Sequence, residues 1–190
     1  MAGMQLVRPS VSLLAGYVAA LENGWTPDSE RGRAAALDEL RLIEESPSRF
    51  VESLVDTEAR GAPIALPDGS LVPRLPGYRR WIWDEGFCGS MGLRWQAGTA
   101  ALPAYCLGHI GYSIVPWKRR QGYATRALAL LLPEARAQGL PHVELTTDAD
   151  NVASQKVILR NGGTLVEEVE KPAGYRGDRM LRFRIPLHAV

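Results

Sequence analysis

One loop and the helix after it constrain the fold of this chain of 190 residues more than any other feature. An alternating, strand-like run at 109–115 leads into Arg119-Arg120-Gln121-Gly122. Apolar residues then recur at helical spacing through 122–138, which predicts a helix with one face packed on a sheet. The strand, the loop and the covered helix together predict an α/β (α+β) architecture.

A second strand and a second helix follow directly. The run at 142–147 is predicted to be a strand. Asn151 is a favoured N-cap for a helix over 151–160, and the pair Gly162-Gly163 is typical of a C-terminal cap. Residues 108–163 are therefore predicted to form the organising core of the fold.

The loop before the first of these helices has the chemistry of an anion site. The first amides of a helix lack intrahelical partners, and the peptide dipoles place partial positive charge there. Gly122 allows a close approach, the small Ala124 keeps that approach open, and Arg119 and Arg120 add positive charge. We therefore predict that residues 119–124 hold a phosphate group. The alternative is a well-capped loop with solvated arginines.

The order of these motifs resembles the GNAT superfamily of acyl-CoA-dependent N-acetyltransferases. The resemblance covers about residues 78–186 and rests on the motifs Ile114-Val115-Pro116, Arg119-x-x-Gly122-x-Ala124, Asp150-Asn151-x-x-Ser154 and Asn161-Gly162-Gly163. It implies a GNAT-like central mixed, mostly antiparallel sheet of six to seven strands flanked by helices, with a splayed strand pair that binds CoA. It also implies a single acetyltransferase domain over 1–190, with an acceptor wall in 1–60 and a CoA-binding core in 108–163.

The resemblance further implies which residues bind the cosubstrate, acetyl-CoA. A strand end would contact the pantetheine arm and acetyl group, with an N–H near Ile114 polarising the thioester carbonyl. The loop would hold the pyrophosphate, and the start of the last helix would bond the pantetheine arm. The predicted binding residues are Ile114, Val115, Arg119, Arg120, Gln121, Gly122, Tyr123, Ala124, Thr125, Asn151 and Ser154.

The predicted catalytic residues are His109 and Tyr112. Several relatives place an acidic base fourteen residues before the loop glycine, where this chain has Gly108. His109 is its neighbour, and an unperturbed pKa near 6.5 allows a neutral imidazole to accept a proton. Tyr112, Glu144 and the acidic N-terminal segment are alternative bases.

The proton donor also departs from the family pattern. Many relatives have a tyrosine seven residues after the asparagine, and this chain has Ile158 there. Tyr112 or Tyr175 is then left to protonate the leaving thiolate. Water is a further alternative, since a thiol pKa of about 8.5 makes the thiolate a good leaving group.

The rest of the chain supplies the other predicted elements. They are a strand at 4–8, a helix at 11–22, helical residues 28–58 divided by Pro47, a loop at 61–76, a strand pair at 78–84 and 87–95, a loop at 98–104, and a closing strand pair at 164–170 and 179–187 joined through 172–174. Pro133 lies inside the helix over 122–138, where we predict a bend and not a break.

The segment 28–58 is acidic. Its nine acidic and four basic residues give a net charge of −5. By the resemblance this segment forms one wall of the acceptor site, so an acidic wall would favour a cationic amine. The alternative is an acidic helix face in contact with solvent.

Composition narrows the functional classes. The net charge of +1 provides no field that would attract nucleic acid or a membrane. No apolar run of 18 residues and no signal-peptide pattern is found, so a cytoplasmic protein is predicted. Cys88 and Cys106 have no metal-ligand spacing and are predicted to be small apolar residues, and no metal site is predicted. The sequence allows a homodimer but does not require one.

Two functions from different classes follow. The first is an N-acetyltransferase that moves an acetyl group from acetyl-CoA to a primary amine of a small molecule or peptide by direct attack in a ternary complex. The second is a non-catalytic acyl-CoA sensor, which Ile158 and Gly108 would explain. A dinucleotide-binding oxidoreductase is excluded by the missing G-x-G-x-x-G fingerprint, and a P-loop NTPase by the missing G-K-[ST].

Overall fold

The fold is a mixed α+β architecture, described by a computed structural model over residues 3–66, 68–172, 174–175, 177 and 179–187. The strands within these residues are β1 (Gln5–Val7), β2 (Val55–Asp56), β3 (Ile64–Ala65), β4 (Leu71–Val72), β5 (Gly77–Trp83), β6 (Phe87–Arg94), β7 (Ile110–Ile114), β8 (His142–Asp148), β9 (Thr164–Glu170) and β10 (Arg179–Pro186). The α-helices are α1 (Leu14–Glu22), α2 (Arg33–Glu45), α3 (Pro47–Ser53), α4 (Tyr123–Ala137) and α5 (Val152–Arg160).

The seven described strands of three or more residues form two antiparallel sheets. The first has the order β1-β5-β6-β7, with the short β2 paired to β5, and the second has the order β8-β10-β9. Strands β3 and β4 form a separate hairpin in the predicted loop 61–76, of which residue 67 lies outside the described ranges. Residue 173 of the predicted connection 172–174 also lies outside them. The predicted α+β class and the mostly antiparallel strands are confirmed.

Helices cover both faces of the first sheet. Helices α4 and α5 bury Leu128, Leu131 and Ile158 with strand residues of both sheets in one apolar cluster. Helices α1 to α3 bury Tyr17 and other residues in a second cluster on the opposite face. The predicted stripe on α4 is therefore confirmed, and it holds the N-terminus of α4 against the sheet.

Pro133 does not break α4, which runs continuously from Tyr123 to Ala137. The apolar stripe continues through this point, because Leu131 and Ala135 on either side of it are both buried. Asn151 caps α5, since its side chain accepts a hydrogen bond from Ser154 N at 3.1 Å. Gly162 ends that helix with φ of 81°, and Gly163 N donates to Ile158 O at 3.0 Å.

The predicted boundaries of the segment 28–58 are wrong at both ends. Asp28 Oδ1 accepts from the N–H groups of Glu30 and Arg31, at 2.9 and 3.0 Å, and forms a turn before α2 begins. Pro47 stands in the first turn of α3, where its missing N–H is harmless. After α3 the chain is β2, which pairs with Tyr78 and Gly77.

No helix in the described part of the chain is both long and apolar enough to cross a membrane.

Candidate functional site

Strands β7 and β8 are joined at one end only. His109 N donates to Glu144 O at 2.7 Å, and Glu144 N donates back to His109 Nδ1 at 2.9 Å. Beyond this junction the strands belong to different sheets. A gap therefore separates β7 from β8 past His109, which is the predicted splay.

The outer edge of β7 presents main-chain groups to this gap. Val115 N donates to Cys88 O at 3.0 Å, and Arg94 N donates to His109 O at 2.9 Å, so these residues pair with β6. Pairing alternates along an antiparallel ladder, and the N–H groups of Tyr112 and Ile114 consequently point away from β6. Ile114 can therefore offer the N–H that the sequence predicted.

The N-terminus of α4 is an open site for an anion. Gly122 is the N-cap in the left-handed region, with φ of 81° and no side-chain cap. The first helical hydrogen bond runs from Arg126 N to Gly122 O at 3.1 Å, so the N–H groups of 122–125 have no partner within the helix. A Cβ added at Gly122 would meet no atom within 4 Å, which leaves room for a ligand.

Both loop arginines are exposed. Arg119 Nε donates to Ile114 O at 3.1 Å, which fixes its guanidinium beside the end of β7. Arg120 has φ of 62°, an uncommon conformation for a residue with a side chain. Strained backbone of this kind is often found at ligand sites.

Two side chains brace the loop. Tyr123 is buried, and its hydroxyl donates to Asp84 Oδ2 at 2.8 Å. This hydrogen bond raises the pKa of Tyr123 to about 12, so the phenol stays protonated and acts as an anchor. Gln121 Nε2 donates to Trp117 O at 3.3 Å and closes the turn from the other side.

Val115 differs from the other predicted binding residues. Its N–H bonds Cys88 O, and its carbonyl accepts from Lys118 N at 3.0 Å. Its side chain is fully buried under the N-terminal helices. Both main-chain groups of Val115 are already used, which does not favour contact with a ligand.

The start of α5 and the nearby part of α4 complete the far side of the gap. Asn151 is exposed and caps α5, while Ser154 and Thr125 are half-buried. Asn161 Nδ2 donates to Thr125 O at 3.2 Å and to Val157 O at 2.8 Å, which ties α4 to α5. These hydrogen bonds hold the end of α5 against the first turn of α4, which carries Thr125.

Tyr112 lies between β7 and α5. Its hydroxyl oxygen is buried and has no hydrogen-bond partner among the described residues. Burial raises the pKa of Tyr112, and a contact with the Ser154 side chain that falls outside normal hydrogen-bond geometry opposes that shift. The phenol is therefore protonated at neutral pH and has a proton available for a ligand.

His109 lies at the junction, not at an open surface. It is fully buried, and because Nδ1 accepts from Glu144 N, the proton of the neutral ring is on Nε2. The pKa of His109 is lowered to about 4, chiefly by burial and in smaller part by His142 and Arg94, against the raising effect of Glu144. These observations do not favour the predicted base and support a positioning role.

The weaker candidates have other contacts. Glu144 pairs with Arg184, with 2.6 Å between Oε1 and Nη2. Within the acidic segment, Asp38 pairs with Arg31 and Arg41, and Glu58 with Arg60. Most of this segment therefore behaves as a paired or solvated surface.

Two cationic residues near the gap did not stand out in the sequence. Arg94 ends β6, and Lys171 follows β9. Lys171 pairs with Asp148 at 2.6 Å and with Glu30 at 3.6 Å, and its side chain is only 4% exposed. Only tertiary packing brings these residues to the site, and no local motif marks them.

Comparisons with known proteins agree with this geometry. A family model described as an acetyltransferase (GNAT) domain matches residues 69–164. Comparison with curated proteins finds no sequence match.

The chain is similar to solved acetyltransferase structures over nearly its whole length. A spermidine N-acetyltransferase SpeG chimera from Vibrio cholerae and hSSAT has a TM-score of 0.63 at 12% identity, covering 98% of this chain and 96% of that chain. Microcin C7 self immunity acetyltransferase MccE in complex with acetyl-CoA and AMP has 0.61 at 13%, covering 98% and 93%.

The ribosomal L7/L12 α-N-protein acetyltransferase RimL in complex with coenzyme A has a TM-score of 0.59 at 14% identity, covering 98% of this chain and 95% of that chain. At such identities these likenesses show a shared fold. Because the family model spans half of the sequence and includes the loop before α4, the chain belongs to the GNAT acetyltransferase family.

Proposed function

We propose that this chain is an acetyl-CoA-dependent N-acetyltransferase, formed by one domain over residues 1–190, that acts on a primary amine of a small molecule or peptide. The observation that carries the proposal is the set of main-chain N–H groups at 122–125 that have no hydrogen-bond partner among the described residues, beside two exposed arginines. A diphosphate needs such donors in fixed positions. Complexes of MccE with acetyl-CoA and of RimL with coenzyme A support this choice of cosubstrate.

The residues present fit the other parts of acetyl-CoA as well. The gap between β7 and β8 leaves the N–H groups of Tyr112 and Ile114 free to pair with an extended pantetheine arm. In this proposal the Ile114 N–H polarises the thioester carbonyl, and the Asn151 amide contacts the arm while its oxygen caps α5. Acetyl-CoA supplies an activated acyl carbon bound to a good leaving group.

Tyr112 is proposed as the catalytic acid. The acceptor nitrogen forms a bond to the acyl carbon, and the carbon–sulfur bond breaks. The Tyr112 hydroxyl donates its proton toward the departing sulfur and regains one from solvent, while the acceptor nitrogen loses its proton to water. The buried Tyr112 hydroxyl supports this role, because it makes no hydrogen bond of normal geometry to a described residue and has only a contact with Ser154. The role is open because Ile158 replaces the expected tyrosine.

We expect Tyr112→Phe to reduce kcat by about tenfold, because the sulfur loses its hydrogen-bond donor while the thiol remains a good leaving group. The Kd for acetyl-CoA should stay within about twofold, since the backbone of β7 is unchanged. Initial-rate measurements give kcat, and calorimetric titration gives the Kd for acetyl-CoA. Tyr105→Phe is the matched control, because it removes a phenol hydroxyl that donates to Pro73 O at 3.0 Å and is not among the predicted site residues. An equal loss of kcat in both variants would contradict a special role for the Tyr112 phenol.

The function as a whole is tested by calorimetry of acetyl-CoA binding together with release of free CoA thiol across a panel of polyamines, amino acids, peptides and aminoglycosides. Binding with amine-dependent thiol release and a matching acetylated product is the expected result. Binding without turnover of any amine would favour the alternative, an acyl-CoA sensor. Failure to bind acetyl-CoA would overturn both functions.

We also propose a cytoplasmic site of action. The free thiols of Cys88 and Cys106 support it, since disulfides are rare in that compartment. No group of three His, Cys, Asp or Glu residues in the described ranges is arranged to hold a metal, and the proposed chemistry uses none.

A further inference from the structure

One face of β6 and β7 carries no side chain at two neighbouring positions, because both are glycines. Gly92 and Gly111 are direct partners in the ladder, so they lie on the same face of the sheet. Ser113 is two residues beyond Gly111 and shares that face, which we call the Gly111 face. Ser113 Oγ accepts from Trp25 Nε1 at 2.9 Å and donates to Thr26 O at 2.9 Å. The loop after α1 therefore borders the Gly111 face.

Arg94 lies across the Gly111 face. It is two residues after Gly92, and its Nη2 is 2.9 Å from the position that a Cβ on Gly111 would take. Any larger residue at Gly111 would displace the guanidinium. The missing side chain of Gly111 therefore leaves room for the Arg94 guanidinium over β7.

The charge of Arg94 is not neutralised within the described residues. Its neighbour on the same face, Arg79, pairs with Glu39 at 2.9 Å. No described carboxylate lies within ion-pair distance of Arg94, and its side chain is exposed. The charge of Arg79 is thus neutralised within the fold, and the charge of Arg94 remains available to a ligand.

Two further loops enclose the same space. Lys171 contacts Glu30 and Asp148, which connects the segment after β9 to the loop before α2. Burial raises the pKa of Tyr175, the carboxylates of Glu30 and Asp28 raise it further, and Arg94 lowers it. Arg94 therefore shares one electrostatic environment with the loops that border the Gly111 face.

We propose that Arg94 binds an anionic group on the acceptor, so that the acceptor is an amine that also carries a carboxylate or a phosphate. This inference rests on the proposed function and names the substrate class of that site. A planar guanidinium with no internal partner is suited to bidentate contact with either oxyanion. A purely cationic acceptor such as a polyamine would leave this guanidinium without a partner.

The position of Arg94 also predicts the distance between the anionic group and the reacting nitrogen of the acceptor. Its guanidinium lies over Gly111, and the thioester is proposed to lie at Ile114, three residues further along β7. Three residues of strand span about 10 Å. The anion and the reacting nitrogen should therefore be separated by several bonds, as in an ω-amino acid or in a peptide with an acidic residue near its N-terminus.

The test measures kcat/KM for ω-aminoalkanoates of increasing length, for aminoalkyl phosphates and for simple alkylamines of the same length, which lack the anionic group. Wild-type protein should prefer the amine that carries an anionic group over the simple alkylamine of the same length by about tenfold or more, with an optimum at intermediate length. The two anionic series distinguish carboxylate from phosphate. Arg94→Gln should remove most of the preference, and Arg94→Glu should invert it in favour of diamines.

Arg136→Gln, an exposed arginine in the last turn of α4, is the matched control and should keep the wild-type preference. Wild-type turnover that favours simple alkylamines or diamines over the amines with an anionic group would overturn the inference while leaving the acetyltransferase in place. An unchanged preference in Arg94→Gln would do the same. Absence of acetyl-CoA binding or of any amine turnover would overturn the proposed function itself, and calorimetry separates these cases.

Discussion

Gly122→Glu should lower the affinity for acetyl-CoA by more than about a hundredfold. Gly122 has φ of 81°, and the space beside it is open. A glutamate would place a negative charge among the N–H groups that are proposed to bind the diphosphate, and it would fill the approach. Left-handed backbone also disfavours a residue with a Cβ by about 1 kcal/mol. Calorimetric titration with acetyl-CoA measures the loss.

Gly139→Glu is the matched control for this substitution. Gly139 follows the other end of α4, also has φ of 81°, and also has no atom within 4 Å of an added Cβ. The two variants therefore share the change in charge and the backbone strain, and they differ in position. Near-wild-type affinity in Gly122→Glu, or an equal loss in Gly139→Glu, would remove the loop as the diphosphate site.

His109→Ala should destabilise the protein by about 3 kcal/mol. The substitution leaves the Glu144 N–H without its acceptor and opens a cavity at the only end where β7 and β8 are joined. His109→Asn should recover part of the loss, because an amide oxygen can accept the same hydrogen bond. Urea denaturation of the three proteins at neutral pH gives the free energies of unfolding. Equal stability of His109→Ala and wild type would contradict this role of the imidazole.

The same residue should make stability depend on pH. Burial lowers the pKa of His109 from its usual 6.5 to about 4, so between these values the unfolded chain binds more protons than the folded chain. Its contribution is therefore complete above about pH 6.5 and is lost as the pH falls toward 4, by about 3 kcal/mol in total. Burial and Arg184 also lower the pKa of His142, which adds a slope of the same sign.

Comparison with His109→Asn isolates the contribution of His109, since His142 remains in that variant. Wild type should lose more stability than His109→Asn between pH 7 and 5. The pH profile of kcat/KM separates the positioning role from the predicted base. If His109→Asn loses the acidic limb of that profile at unchanged stability, His109 is the base after all.

The core of the fold could be predicted because local signals are strong there. The helix over Tyr123–Ala137 has a regular apolar stripe, and the stripe outweighs the cost of Pro133. Asn151 and Gly162 cap their helix with local hydrogen bonds that depend only on neighbouring residues. Features of this kind are encoded within a few residues and are visible in the sequence.

Other features depend on contacts between distant segments. Leu54 and Val55 continue a helical pattern, yet β2 is a strand because its pairing with β5 decides the conformation. The position of Arg94 depends on the missing side chain of Gly111, on a different strand. The orientation of Tyr112 toward α5 likewise follows from tertiary packing, and no pattern along the chain predicts it.

A single amide spans the two helices that border the gap. Asn161 Nδ2 bonds one carbonyl on α4 and one on α5, at 3.2 and 2.8 Å. The spacing between the N-termini of those helices is therefore fixed by a residue that lies at the opposite end of α5. An elongated ligand that contacts both helix N-termini must match the distance between them. Asn161 helps to set that distance, although it does not contact the ligand itself.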